Sequence, residues 1–159
     1  MKIVAIDPGE TTGWSVWETV GLKKLAGGQT PLWAFIDALS KALMDEDLGI
    51  DDELTADLRG VEYIVCEDWA IYPQEAESGA LNWDKCRTAR GIGAIELISR
   101  IALVPLKLQP AAIKSTAKAM GAEELFVTPL HENRHENDSV YHAVKFAYTE
   151  AAAAGVTGP

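Results

Sequence analysis

The sequence predicts an α/β fold, a mixed five-stranded sheet with helices on both faces. Two observations carry this reading. The chain opens with two apolar-rich extended segments joined by a tight turn, the mark of an antiparallel hairpin, and a third extended stretch follows. From there helical and strand patterns alternate to the end, and a meander followed by such alternation builds a mixed sheet that helices cover from both sides.

Ile3 to Ile6 are four consecutive apolar residues, as expected of a strand buried on both faces. The run ends in Asp7, Pro8-Gly9 makes the turn, and Trp14 to Trp17 resumes an extended pattern. Leu22 to Gly28 forms a third, shorter strand. Thr30 then caps a helix with Pro31 at its first position, and Leu32, Phe35, Ile36, Leu39 and Leu43 give it one apolar face. Val61 to Glu67 is the fourth strand, again mostly apolar and again closed by a carboxylate, and an aromatic loop from Asp68 to Pro73 follows.

A long helix is expected from about Asn82 to Ile101, with Ala89, Gly93, Leu97 and Ile101 on one stripe. It also carries Lys85, Arg87, Arg90 and Arg100. Leu103 to Leu108 reads as the fifth strand, with Pro105 marking an edge or a strand start. Pro110 opens a short helix in which Lys114 and Lys118 share a face. The final helix runs from Asn133 to about Ala154, with Val140, Val144, Ala147, Tyr148 and Ala151 facing inward.

With 159 residues and 48% apolar content the chain reads as one globular domain, 1–159, with an acidic loop at 45–58 and a tail at 155–159. No apolar run is long enough to span a membrane, no signal-peptide pattern opens the chain, and a cytoplasmic location is expected. The two cysteines make no disulfide framework, and Cys66 reads as a small buried side chain. A net charge of −10 argues against a non-specific coat for nucleic acid, which needs local Lys and Arg. Six of the acids crowd between Asp45 and Glu53, so a positive working face elsewhere remains compatible with that total.

The acids at the strand ends carry the chemistry. A carboxylate closing a central strand must be solvated, paired or bound to a metal, because burying it alone is costly. Taken singly, Asp7 is equally a turn-starting residue before Pro-Gly. If the first and fourth strands are parallel neighbours, however, Asp7 and Glu67 reach the same sheet edge, where ligand sites of open α/β sheets lie. The last helix adds His135, Asp138 and His142, spaced by three and four residues on one face. Polar ligands from two strand ends and a helix start suit hard divalent cations such as Mg²⁺. Two such ions side by side are the recurring device for in-line phosphodiester hydrolysis.

A zinc site from His131, His135 and His142 is the competing metal reading. The absence of a nearby cysteine and the dominance of carboxylates weigh against it. His142 by itself reads as a support for the ligands or a helix-face residue. Lys85, Arg87 and Arg90 read equally as a solvated face or a DNA-facing one, and Trp69 and Tyr72 as loop packing or a stacking platform.

The opening Ile6-Asp7-Pro8-Gly9-x-Thr11-x-Gly13 resembles the start of RuvC-type Holliday-junction resolvases, members of the ribonuclease H-like superfamily. Glu67, Arg90-Gly91, Pro110 with Lys114, and the closing His135-x-x-Asp138 resemble the family's later motifs, so the likeness spans roughly residues 2 to 148. The His-x-x-Asp-x-x-x-His ending and the short length look most like the RuvC-like proteins of phages.

The resemblance implies a ribonuclease H-like sheet, a homodimer, and an endonuclease acting on branched DNA with Mg²⁺ or Mn²⁺, two ions per site. It implies that Asp7 bridges the metals, that Glu67, His135 and Asp138 are further ligands, and that Lys114 touches DNA phosphate or the scissile region. It also places Trp69 or Tyr72 where the family has an aromatic that stacks on junction bases. Lys85, Arg87, Arg90, Lys114 and Lys118 are the expected DNA contacts.

The chain departs from the family pattern in two places. Ser139 stands where Ala usually follows the last Asp, and the stretch from Lys118 to His131 is shorter and less basic than in bacterial members. Two rivals use the same residues. Asp-x-Gly-x-Thr-Thr resembles the phosphate loop of actin-like ATPases and sugar kinases, but those need a second domain and a second loop. A non-catalytic junction-binding protein is the other, and acids intact at every motif position weigh against it.

Overall fold

A computed structural model describes residues 1–44, 52–69, 83–127 and 131–153, the side chains of 83–85 and 150–153 excepted. The strands are β1 (Lys2–Asp7), β2 (Thr11–Glu18), β3 (Lys23–Pro31), β4 (Tyr63–Asp68) and β5 (Leu106–Pro110). They form one sheet in the order β3-β2-β1-β4-β5. β1 to β3 are an antiparallel meander, while β4 and β5 run parallel to β1. The expected mixed five-stranded sheet is therefore present.

Strand alternation sends successive side chains to opposite faces, and each face builds its own core. Val4, Ile6, Trp14, Val16, Ile64 and Cys66 face helices α1 (Leu32–Met44), α2 (Glu53–Leu58) and α3 (Trp83–Ala102). Ile3, Ala5, Trp17 and Val65 face the last helix, α5 (Arg134–Ala153), through Val140, Ala143, Val144 and Phe146. Asp7 and Glu67 share the parity of Ala5 and Val65, so both carboxylates emerge on the α5 side. Cys66 is fully buried on the other side, where burial pushes its thiol pKa well up, as expected of an inert packing residue.

Several elements differ from the sequence reading. Thr30 and Pro31 do not start the helix but extend β3, paired with Thr12 and Thr11, and α1 begins at Leu32. An edge strand tolerates the missing proline donor, and Leu32 N–H instead donates to the Glu10 carbonyl at 3.2 Å. The second half of the expected acidic loop, 45–58, forms α2, capped by Asp52, whose carboxylate accepts from Thr55 N–H at 2.7 Å. Asp45, Glu46, Asp47 and Asp51 lie outside the described residues, as does the tail.

β5 starts at Leu106, after Pro105, and Pro110 closes it before a 3₁₀ turn (Ala111–Ile113) and helix α4 (Lys114–Ala119). Among the described residues of α3 the buried apolar side chains are Ile92, Ile95 and Ile98, with Ser99 beside them, whereas the stripe through Gly93, Leu97 and Ile101 faces outward. Two apolar stripes on a helix with one sheet to cover must leave one exposed. On α5, Tyr148 likewise turns out to be exposed, and Phe146 takes the inward place beside Ala147.

Candidate active site

β1 and β4 pair in parallel with Ile6 opposite Cys66, which brings Asp7 and Glu67 side by side at the next step of the strands. The turn after Asp7 is closed by the Thr12 hydroxyl, which donates to the Gly9 carbonyl at 3.1 Å. α5 reaches this edge by crossing β2 at Gly13. A Cβ there would lie 1.8 Å from the His135 carbonyl oxygen and 2.6 Å from Glu136 N, so only glycine permits the approach.

The start of α5 is held from three sides. The Gln29 side chain accepts from His135 N–H at 2.9 Å and donates to the Glu132 carbonyl at 2.6 Å. Lys24 pairs with the buried Glu136 carboxylate at 2.5 Å. Ser139 Oγ donates to the Glu136 carbonyl at 2.6 Å and so accepts from Ser15 Oγ at 2.7 Å. That last pair gives the serine at position 139 a physical reason, a buried partner on β2.

At the edge, the Lys114 ammonium stands among three carboxylates, 3.0 Å from Glu67, 3.3 Å from Asp138 and 3.9 Å from Asp7. His135 Nδ1 lies 2.9 Å from Asp7 Oδ2. His142 is fully buried, with Nε2 2.9 Å from Glu67 Oε2 and Nδ1 3.0 Å from Gln109 Oε1. The structure therefore brings together Asp7, Glu67, Lys114, His135, Asp138 and His142 from β1, β4, α4 and α5.

Their electrostatics follow from that crowding. Burial raises the Asp7 pKa above its ordinary value, and the nearby Glu67 and Asp138 charges add to this against the His135 hydrogen bond. For Glu67, burial is the largest influence and pushes upward, but the His142 hydrogen bond and the Lys114 charge outweigh it and hold the carboxyl at about 2. Burial opposes the Lys114 charge, yet Asp7 and Glu67 raise its pKa overall. The hydrogen bond to Asp7 also raises that of His135.

Among the described residues, no three His, Cys, Asp or Glu side chains are already arranged around a single metal position. The donors converge on an ammonium instead. The chemistry of the set still fits a hard cation: three oxygen ligands, a raised pKa on the most buried of them, and a positive group already drawn in between. Asp7, Glu67, Asp138 and His135 are the candidates that would hold one.

The expected DNA contacts are placed less uniformly. Arg87 pairs with Glu10 at 3.0 Å, and Arg90 lies over the Trp33 ring at 5.7 Å. Together with Pro31 and Leu32 these four line an open cleft of about 370 Å³ just beyond the β1–β2 turn. Gly91 lets α3 approach there, since a Cβ would meet Leu32 at 2.8 Å. Lys118 pairs with Glu123 at 3.0 Å. Trp69 is half-buried against the α1–α3 core, and Tyr72 and the Lys85 side chain lie outside the described residues.

The sequence reading missed Gln29, Gln109, Trp33 and the Ser15–Ser139 pair. Gln109 is found only from the register, which sets it opposite Glu67 on the neighbouring strand.

No protein-family model and no curated protein matches the chain in sequence. Two solved structures of RuvC from Thermus thermophilus do match in three dimensions. One, in complex with a Holliday junction substrate, gives 16% identity and a TM-score of 0.63, and the other gives 17% and 0.65. Each alignment covers 100% of this chain and 99% of the RuvC chain. The fold is ribonuclease H-like. At these identities the likeness establishes the architecture, and the activity has to be argued from the residues of the site.

Proposed function

We propose that this protein is a metal-dependent endonuclease of RuvC type that resolves branched DNA, Holliday junctions among them, by hydrolysing phosphodiester bonds. The observation that carries the reading is the convergence of Asp7, Glu67 and Asp138 on one cation position at the carboxyl edge of a RuvC-like sheet. Asp7, Glu67, His135 and Asp138 would hold one or two Mg²⁺ or Mn²⁺ ions. Such ions supply an activated water and neutralise charge on the phosphate.

The chain's own residues do the rest. Asp7, at the end of the central strand β1, fixes the centre of the site. Lys114 supplies a positive charge within reach of a bound phosphate. Arg87, Arg90 and Lys118 contact backbone phosphates, each first leaving or sharing an internal partner, while Lys85 and either Trp69 or Tyr72 extend the DNA surface. Because neutral-pH charge is −10 and several cations are internally paired, attraction to plain duplex is weak. Selectivity then rests on the junction, where phosphates converge and bases unstack cheaply.

Symmetrical cutting of a four-way junction needs two sites, so we assign a homodimer. The outward apolar stripe of α3, with Leu97 57% and Ile101 58% exposed, together with Leu103 just past its end, 89% exposed, is the surface offered for it. The His-x-x-Asp-x-x-x-His ending favours the phage-type branch of these enzymes, acting in the host cytoplasm. No helix among the described residues is long and apolar enough to cross a membrane.

The test is Mg²⁺-dependent cleavage of four-way, flap and linear DNA by the wild type and Asp7→Asn. Four-way cleavage by the wild type alone, exceeding linear cleavage by at least tenfold, is expected. Equal cutting of linear and four-way DNA would make this a general nuclease, and tight junction binding without cleavage would make it a binding protein.

A further inference from the structure

We infer that His142 and Gln109 are positioning residues for Glu67, a buried clamp that turns this carboxylate toward the cation position and fixes which of its oxygens is offered. This rests on the metal-centre reading above and adds two residues that lie behind the ligands. His142 is 0% and Gln109 5% exposed, so neither reaches DNA or solvent. Buried polar side chains persist where their hydrogen bonds are satisfied, and both nitrogens of the His142 ring are engaged.

The geometry is directional. Among the described residues, both contacts to Glu67 fall on Oε2, from His142 Nε2 at 2.9 Å and Lys114 Nζ at 3.0 Å. The oxygen that faces the cation position, where Lys114 now stands, is thus the one that His142 holds from behind, and the buried ring restricts the rotamers open to the Glu67 side chain.

Gln109 performs the same service one step back. Its register partner on β4 is Glu67 itself, so the two side chains leave the sheet on one face with His142 bridging them. An amide suits the place because it meets Nδ1 with either its oxygen or, turned over, its nitrogen. A carboxylate would only accept, and an apolar side chain would leave Nδ1 buried without a partner. His142 comes from α5 one turn after Asp138. The helix that supplies one candidate ligand therefore also aims another, and a shift of α5 disturbs both together.

Removing the hydrogen-bonded support of a metal-ligating side chain typically lowers metal affinity 10- to 100-fold. The experiment measures Mn²⁺ binding to the DNA-free protein by the loss of the free-ion electron paramagnetic resonance signal. Melting curves in chelator are recorded for every variant. His142→Phe keeps the ring volume and removes both nitrogens, and about a tenfold weaker Mn²⁺ affinity is expected. His142→Gln, whose amide nitrogen reaches the Nε2 position, should recover most of the loss. Gln109→Leu should weaken binding several-fold.

A merely structural role would change the melting curves and leave the Mn²⁺ affinity of the folded fraction at the wild-type value. That result in His142→Phe, or in Gln109→Leu if the former does not fold, would overturn the inference. Asp7→Asn separates the two levels. If neither the wild type nor Asp7→Asn takes up Mn²⁺ at this site, the metal-centre reading falls and the clamp falls with it. If Asp7→Asn alone abolishes binding, the metal centre stands and the clamp is refuted.

Discussion

Gly13→Ala tests the construction of the site with a single methyl group. The added Cβ would sit 1.8 Å from the His135 carbonyl oxygen, 2.0 Å from its carbon and 2.6 Å from Glu136 N, all backbone atoms that cannot rotate away. Bringing the oxygen out to ordinary contact at 3.4 Å requires α5 to retreat by about 1.6 Å. β2 cannot yield instead, because it lies between β1 and β3 with Trp14, Ser15, Val16 and Trp17 buried. Overpacking of a tight interior costs about 1–3 kcal/mol. Loosening the Gln29 bond to His135 N–H adds about 1 kcal/mol. For a chain of this length about 2–4 kcal/mol lowers the melting temperature by roughly 4–16 °C. The same retreat carries His135 out of hydrogen-bond range of Asp7 and moves Asp138 with it, and misplacement by about 1 Å costs on the order of 100-fold in rate. The assays are thermal melting in chelator and Mg²⁺-dependent four-way cleavage. Gly93→Ala serves as the control, since its Cβ meets nothing within 4 Å. A Gly13→Ala protein that melts and cuts like the wild type would refute the claim that this glycine sets the position of α5.

Asp7→Asn should abolish cleavage yet melt at the same or a higher temperature in chelator. The raised pKa of Asp7 means that its charge costs stability at neutral pH, a cost that disappears as pH falls through the folded value; a large drop in melting temperature would contradict this. Glu67 acts in the opposite sense. Its folded pKa of about 2 against an ordinary 4.5 gives stability that is complete above about pH 4.5 and is lost as pH falls toward 2. This amounts to at most about 3 kcal/mol before solvent screening reduces it. Glu67→Gln should flatten the acid limb of the metal-free melting profile between pH 5 and 2, and an unchanged limb would show that the carboxylate is not held by its neighbours.

The sheet was legible because its signals are local. Apolar runs ending at Asp7 and Glu67 mark strands, and the Pro-Gly turn makes the first pair antiparallel. The convergence of Asp7, Glu67, His135 and Asp138 was legible from strand ends and helical spacing once β1 and β4 were taken as parallel neighbours. What escaped depends on register and on contacts between distant segments. Gln109 is one polar residue among many until β5 is aligned with β4. Gln29 matters only because β3 runs to Pro31 and so passes the start of α5, whereas Thr-Pro suggested a helix start. The inner face of α3 was misjudged for a different reason: both of its stripes are apolar, and hydrophobicity does not say which one meets the sheet.

The electrostatics explain how so acidic a cluster is accommodated in the fold. Asp7, Glu67 and Asp138 repel one another where burial strengthens the repulsion, and three uncompensated carboxylates there would oppose folding. Lys114 relieves all three at once, and His135 and His142 each take one oxygen from behind or beside. The compensation comes from the chain itself, so the architecture stands on its two cores and not on metal ligation, unlike small domains that fold only around an ion. It also sets a limit on affinity. On the proposed metal-centre reading, an incoming divalent cation and the Lys114 ammonium would draw on the same carboxylate oxygens, so part of the ion's binding energy would go into displacing an existing pair. Binding by the DNA-free protein would therefore be weakened but still measurable, and a phosphate that brings its own negative charge, accepting Lys114 as the ion takes the carboxylates, would strengthen it. On that reading charge complementarity would be complete only with ion and phosphate both present, which would couple metal capture to substrate capture.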